Sequence, residues 1–238
     1  MFDTSSENSV PRFEEQIKTS PVSIRSYLGR LILRTHEDCD TSSLVSIFCD
    51  PINMKHLSFL QPPKGWGDDE ERKKNRQWTE QDMIDRVNLQ KDTRSQGKSC
   101  IFNIILLASA TGEKVDRCIG GVGFAMIDGD TGHLGITLDR SATRKGYATE
   151  ALYTSIVFAF EKLGINKIII ETDNNNEEMR GWCEKTAGLK LTEKKEVQIN
   201  GYTVTECQYE FTDQEWENVV RKNLEIKMKN ILMRDQLH

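Results

Sequence analysis

The 238-residue chain has no apolar run near the roughly 18 residues that a membrane span requires. Its six cysteines, Cys39, Cys49, Cys100, Cys118, Cys183 and Cys207, never form a CxxC pair, and only four histidines accompany them. No metal site is therefore expected from ligand spacing. The opening Met1–Val10 lacks a basic and then apolar secretory leader, so reduced thiols and a cytoplasmic location are expected. Basic residues are outnumbered, 32 Lys and Arg against 37 Asp and Glu, for a net charge of -5. That balance counts against nucleic acid as the main partner, because phosphate recognition favours a basic face. A phosphate loop is missing too: Gly97-Lys98-Ser99 looks like the end of one, but Asp92 sits where its first glycine belongs. Gly120-Gly121-Val122-Gly123 lies inside a strand pattern and opens no helix, so a dinucleotide fingerprint is excluded.

What is present is a chain that can build one core. Hydrophobic residues make up 37%, while a charged fraction of 29% and a mean hydropathy of -0.56 call for exposed polar segments. Residues 1–25 are polar without a sustained period and read as a flexible lead-in. Residues 26–212 read as the folded domain, and 213–238 as an amphipathic helix packed on it. Arg30–Arg34 is a short strand, followed by a helix carrying Leu44, Val45, Ile47 and Phe48 that ends near Asp50-Pro51. Gln61–Arg76 reads as a loop, and Thr79 caps a helix over Glu80–Asp92. Strands follow at Cys100–Ala108, Cys118–Ile127 and His133–Leu138, separated by turn residues. A helix then ends at Gly164, a strand covers Lys167–Thr172, and a helix covers Glu177–Thr186. Leu189–Val197 and Tyr202–Phe211 form a hairpin around Asn200-Gly201, and Asp213 caps the last helix.

The most informative stretch is 133–152, HLGITLDRSATRKGYATEAL. An alternating strand (Leu134, Ile136, Leu138) runs through a polar turn into a helix opening at Gly146-Tyr147-Ala148. A helix start leaves its first N–H groups without internal acceptors and concentrates partial positive charge, which makes an anion site. Arg144 and Lys145 add formal charge, and Gly146 lets backbone approach a ligand closely. Chemically this is a cradle for a pyrophosphate.

The arrangement resembles the coenzyme A loop of the GNAT acyltransferase superfamily, Gln/Arg-x-x-Gly-x-Gly/Ala. Here it reads Thr143-Arg144-Lys145-Gly146-Tyr147-Ala148, then Thr149-Glu150-Ala151, with Thr143 departing from the usual first residue. Arg30–Leu60 resembles the opening of the branch that holds the bacterial ribosomal-protein N-terminal acetyltransferases. Asn176, Glu184-Lys185 and Gly188-Leu189 resemble that branch's second landmark, with one extra residue between Lys185 and Gly188. The order β-α-α-β-β-β-α-β-α-β-β is that of the GNAT fold. The class is thus α/β (α+β), with a mixed, mostly antiparallel central sheet flanked by helices on both faces.

The resemblance implies an N-acetyltransferase that moves an acetyl group from acetyl-CoA to a primary amine by direct attack, without a metal. Arg144, Lys145, Gly146, Tyr147 and Ala148 would hold the pyrophosphate. The main chain of Ile136 and Leu138 would face pantetheine and the acetyl carbonyl, in a gap where two strands splay apart. Asn176 would bond pantetheine or form an Asx turn. The positions where many members carry a donor hydroxyl hold Met179 and Cys183, which leaves Cys183 as proton-donor candidate or as a small core residue. His133 is the candidate general base. The acceptor is a protein N-terminus or a small amine, and a homodimer is left open. A CoA-binding regulatory module that kept the fold without chemistry is the alternative.

Overall fold

The computed structural model describes residues 13–57 and 59–235. An eight-stranded sheet runs in the order β1-β2-β3-β4-β5-β6-β8-β7. Its strands are β1 (Ser23–Arg25), β2 (Leu31–Arg34), β3 (Cys100–Leu106), β4 (Arg117–Asp128), β5 (Thr131–Leu138), β6 (Lys167–Asp173), β7 (Leu191–Ile199) and β8 (Tyr202–Thr212). Every pairing is antiparallel except β5 with β6. The helices are α1 (Glu15–Thr19), α2 (Thr41–Cys49), α3 (Glu70–Asn75), α4 (Glu80–Ser95), the single turn α5 (Ala108–Thr111), α6 (Tyr147–Lys162), α7 (Glu177–Gly181), α8 (Asp213–Glu215) and α9 (Arg221–Asp235).

Local chemistry accounts for the boundaries. Thr79 and Asp82 cap α4 reciprocally, each side chain taking the other's backbone N–H, as a capping box does. Asn200 and Gly201 both take positive φ, 50° and 81°, the geometry of the tight turn that matches strand twist. The last helix begins as α8 and passes through a π-helical turn, Trp216–Val220, before α9.

Two readings of the sequence need correction. The lead-in over 1–25 is folded from residue 13 onward: α1 buries Ile17 and β1 extends the sheet edge. Residues 1–12 lie outside the described residues, as do 236–238 of the C-terminal segment. The loop Gln61–Arg76 contains α3, capped by Asp69 at its start and by a left-handed Arg76 at its end.

The sheet separates two cores. On one face α6 and α9 pack with Leu134 of β5, Ile168 and Ile170 of β6, and Tyr209 and Phe211 of β8. On the other, α2 and α4 enclose Phe48, Trp78 and Met83 against Ile105 and Cys118. Trp216, Leu224 and Met228 of the C-terminal segment are at most 2% exposed. Each such side chain contributes about 1.5–3 kcal/mol by burial, so this segment is integral to the first core.

Candidate active site

β5 and β6 meet over three residue pairs only, Thr131 with Lys167, Gly132 with Ile168 and His133 with Ile169. Beyond His133, β5 stays paired with β4 through Leu138, while β6 stays paired with β8 through Asp173. The two strands part and leave a gap. The direction of the β5 amides follows from the bonds at its two ends. Asp139 N–H donates to Ile119 O on β4, and Asp130 O accepts from Asn166 and Lys167 at the start of β6. Alternation along a strand then turns the even residues toward β6. The main chains of Ile136 and Leu138 therefore face the gap, while their half-buried side chains pack against the α6 core. The bulge nearest this point is on β4, where Ala125 is the extra residue opposite Leu134 and His133.

β5 leads directly into the anion cradle. A short 3-10 turn, Arg140–Ala142, is held by Asp139 accepting from Ser141 N–H and by Thr143 hydroxyl donating to Arg140 O. Arg144 and Gly146 both take left-handed φ, 60° and 81°, and Gly146 caps α6. The first helical bond of α6 runs from Glu150 N–H to Gly146 O at 3.1 Å. The backbone N–H groups ahead of it thus precede the helix's own ladder at its positive end.

The structure adds a reason for glycine at 146. A Cβ there would run into Cδ1 of Ile231 on α9, with Nη2 of Arg30 at 3.4 Å. Left-handed backbone and the fit of α9 each favour glycine here, in addition to the close ligand approach expected from the sequence.

Arg30 and Glu150 carry the support of the cradle. Glu150 is fully buried and accepts from Arg30 Nε at 2.8 Å, Ser26 hydroxyl at 2.5 Å and Arg30 N–H at 3.2 Å. The Arg30 guanidinium also donates to Lys145 O at 3.2 Å and lies 4.7 Å from the centre of the Tyr147 ring. Tyr147 is buried beneath it. Sequence reasoning missed this pairing although both residues stood inside quoted motifs, because they are 120 positions apart.

The remaining candidates sort as follows. Asn176 caps α7, accepting from Met179 N–H at 3.1 Å and donating to Thr172 hydroxyl at 3.0 Å, so the Asx-type role is the one its amide fills. α7 continues as a π-helical turn, Trp182–Ala187, which absorbs the extra residue noted between Lys185 and Gly188. Of the two readings of Cys183, proton donor or small core residue, the structure fits the second: it is 0% exposed and burial pushes its thiol up to about 12. Tyr209 is fully buried too, donates to Glu184 at 2.6 Å, and is pushed up to about 12 first by burial and then by that bond. His133 sits where the strands part, with Nδ1 2.8 Å from Glu171 on β6. Alternation places it with Gly135 and Thr137 on the α2/α4 face.

An open strand edge that runs straight into a helix N-terminal cradle is an arrangement for gripping a long ligand with an anionic middle. A family model for the acetyltransferase (GNAT) domain matches residues 30–188. The chain belongs to the GNAT acetyltransferase family, and it is an acyltransferase. It is 29% identical over 152 residues to the uncharacterized N-acetyltransferase p20 of Bacillus licheniformis, covering 63% of this chain and 74% of that one. Its fold is similar to a GCN5-related N-acetyltransferase from Brucella melitensis, with TM-score 0.64 and 17% identity over 91% of this chain and 88% of that one. It is also similar to RimL, a ribosomal L7/L12 alpha-N-protein acetyltransferase in complex with coenzyme A. There the TM-score is 0.60 and the identity 14%, over 77% of this chain and 94% of RimL. The ribosomal-protein-S5-alanine acetyltransferase from Vibrio fischeri gives 0.59 and 17%, over 82% and 98%. The GNAT fold and the suspected branch are thus both found among its likenesses. The family uses acetyl-CoA. Among the described residues no group of three or more His, Cys, Asp or Glu is placed to hold a metal ion, and no helix is long and apolar enough to cross a membrane.

Proposed function

We propose that this GNAT enzyme transfers an acetyl group from acetyl-CoA to a primary amine by direct attack. The observation that carries this reading is the open edge of β5 ending in the α6 cradle. The main-chain groups of Ile136 and Leu138 offer strand-like hydrogen bonds to a pantetheine arm. The N–H groups from Arg144 to Ala148, with the side chains of Arg144 and Lys145, meet the pyrophosphate. The thioester supplies an activated acyl group, so proximity and polarisation do most of the work.

In the reaction the amine nitrogen bonds the carbonyl carbon, the C–S bond breaks, the nitrogen loses a proton and the thiolate gains one. His133 is the base we assign to the amine proton. Its Nδ1 faces Glu171, and a proton held there leaves Nε2 with the free lone pair. A protein N-terminus or a small amine is the acceptor class, and membership of the family favours the enzyme over a CoA-binding module without chemistry. Thiol release from acetyl-CoA with a panel of amines, followed by mass spectrometry of the products, tests the reading. Tight CoA binding with no thiol released for any amine would overturn it.

A further inference from the structure

On the α2/α4 face of the sheet, opposite α6, lies a cavity of about 50 Å³. Thr137 of β5, Gly121 of β4 and Asn103 of β3 form its floor. These three are cross-strand partners in one row, Asn103 beside Gly121 and Gly121 beside Thr137. The missing side chain at Gly121 makes the room: a Cβ there would meet only the Phe102 carbonyl, at 3.5 Å. The cavity therefore adjoins the open edge of β5, and Thr137 lies between the two residues whose main chains face the gap.

The wall contributed by α4 carries Arg86. Its guanidinium is half-buried and lies 5.1 Å from the centre of the Phe48 ring. Among the described residues no carboxylate pairs with it, and burial alone pushes its pKa down. The carboxylates around the cavity are already answered by other cations. Asp40 holds Arg34 through two bonds, at 2.8 and 2.9 Å, and also accepts from Asn103. Asp82 pairs with Arg72, and Asp85 with Lys64 at 2.8 Å. A desolvated cation without a counterion is costly, and an anionic ligand group removes that cost.

Resting on the acetyl-transfer reading, we propose that Arg86 receives an anionic group of the acceptor, a carboxylate carried on the same molecule as the amine. Arg86 is the charged residue of the lining and stands with the polar side chains of Gln90, Asn103 and Thr137, a set that suits a carboxylate. The acceptor class is then an acidic amino compound: an amino acid, or a peptide whose first residues include Asp or Glu. A polyamine finds a cation where it would need an anion.

The test uses the full chain and acceptors matched in shape but not in charge: glycine against glycinamide, and tripeptides beginning with Asp against Asn or with Glu against Gln. In the wild-type enzyme the acid member of at least one pair is expected to have a kcat/KM about tenfold or more above its amide. Arg86→Gln should bring that ratio to about one, and Arg86→Lys should keep part of it, with CoA affinity and melting temperature unchanged. Equal rates for acid and amide in the wild type, or a preference that survives Arg86→Gln, would overturn the proposal. A loss of acetyl transfer altogether is read separately, by calorimetric titration of the same tripeptides into the CoA-loaded protein. Acid peptides binding to wild type but not to Arg86→Gln supports the Arg86 site even without turnover. Acid and amide binding alike, or neither binding, refutes it.

Discussion

Ile231 of α9 occupies the space into which a side chain at Gly146 would grow. The C-terminal helix and the cradle loop are thereby packed as one unit, although 85 positions of sequence, 231 − 146, separate them. Gly146→Ala should destabilise the protein by about 1–3 kcal/mol, combining left-handed strain with overlap. Ile231→Ala in the same chain should recover part of that loss, and the strain part should remain. Denaturant melts of the two single variants and the double variant measure the coupling. Strict additivity would show that the two residues do not meet in solution.

The charge at the cradle can be separated from its shape. Arg144 takes φ 60°, a strain that alanine shares and glycine would relieve, so Arg144→Ala removes the charge with the backbone preference nearly unchanged. Arg144 is exposed, and its effect on CoA should be screened by salt. We expect Arg144→Ala to weaken CoA binding by roughly three- to tenfold at low ionic strength, with the difference shrinking at about 1 M salt. Calorimetry at both ionic strengths is the measurement. A loss that is equal at both would mean that backbone geometry, not charge, was altered.

Glu150 should be the least replaceable acid in the molecule. It is fully buried and receives Arg30 and Ser26 together. Glu150→Ala leaves the Arg30 guanidinium without that carboxylate, and we expect a loss of about 3–5 kcal/mol. Replacing both residues, Arg30→Met with Glu150→Leu, should cost clearly less than the single change. Urea titrations compare the two, and a double variant weaker than the single one would refute the account.

How legible this was in the sequence varied by kind of information. Capping and turn chemistry is local, so Thr79, Asn200-Gly201 and the helix opening at Gly146 were readable directly. Position relative to the rest of the fold is not local. Cys183 stands seven residues after Asn176, where chemistry was expected, yet it lies on a π-helical turn that α9 covers. Asn223 of α9 donates to Ala187 O at 3.0 Å along that turn. Arg86 escaped notice for a related reason: an arginine on a polar helix reads as solvated until Phe48, thirty-eight positions earlier (86 − 48), is found beside it. The short α1 and β1 carry too few residues to show a period.

The thiols give a pH prediction. Burial raises Cys100, Cys118 and Cys183 from 9.0 to about 12. The folded state favours the protonated form, so this contribution is complete below pH 9 and is lost as pH rises toward 12. Stability should fall across that window, and the fall should shrink in Cys183→Ala. In the native protein at pH 8, alkylation should reach the exposed Cys39 well before these three. Early labelling of Cys183 would place it outside the core.

The parting of β5 from β6 at His133 also bears on how the folded enzyme responds to what it binds. A ligand that binds along that edge stabilises the folded state more as its supply rises. Every tenfold rise in that ligand above its dissociation constant adds about 1.4 kcal/mol to the free energy of unfolding. Main-chain amides at Ile136 and Leu138 would exchange with solvent quickly in the bare protein and slowly in the filled one. Susceptibility to added protease should then fall as CoA is added, which limited proteolysis reads directly.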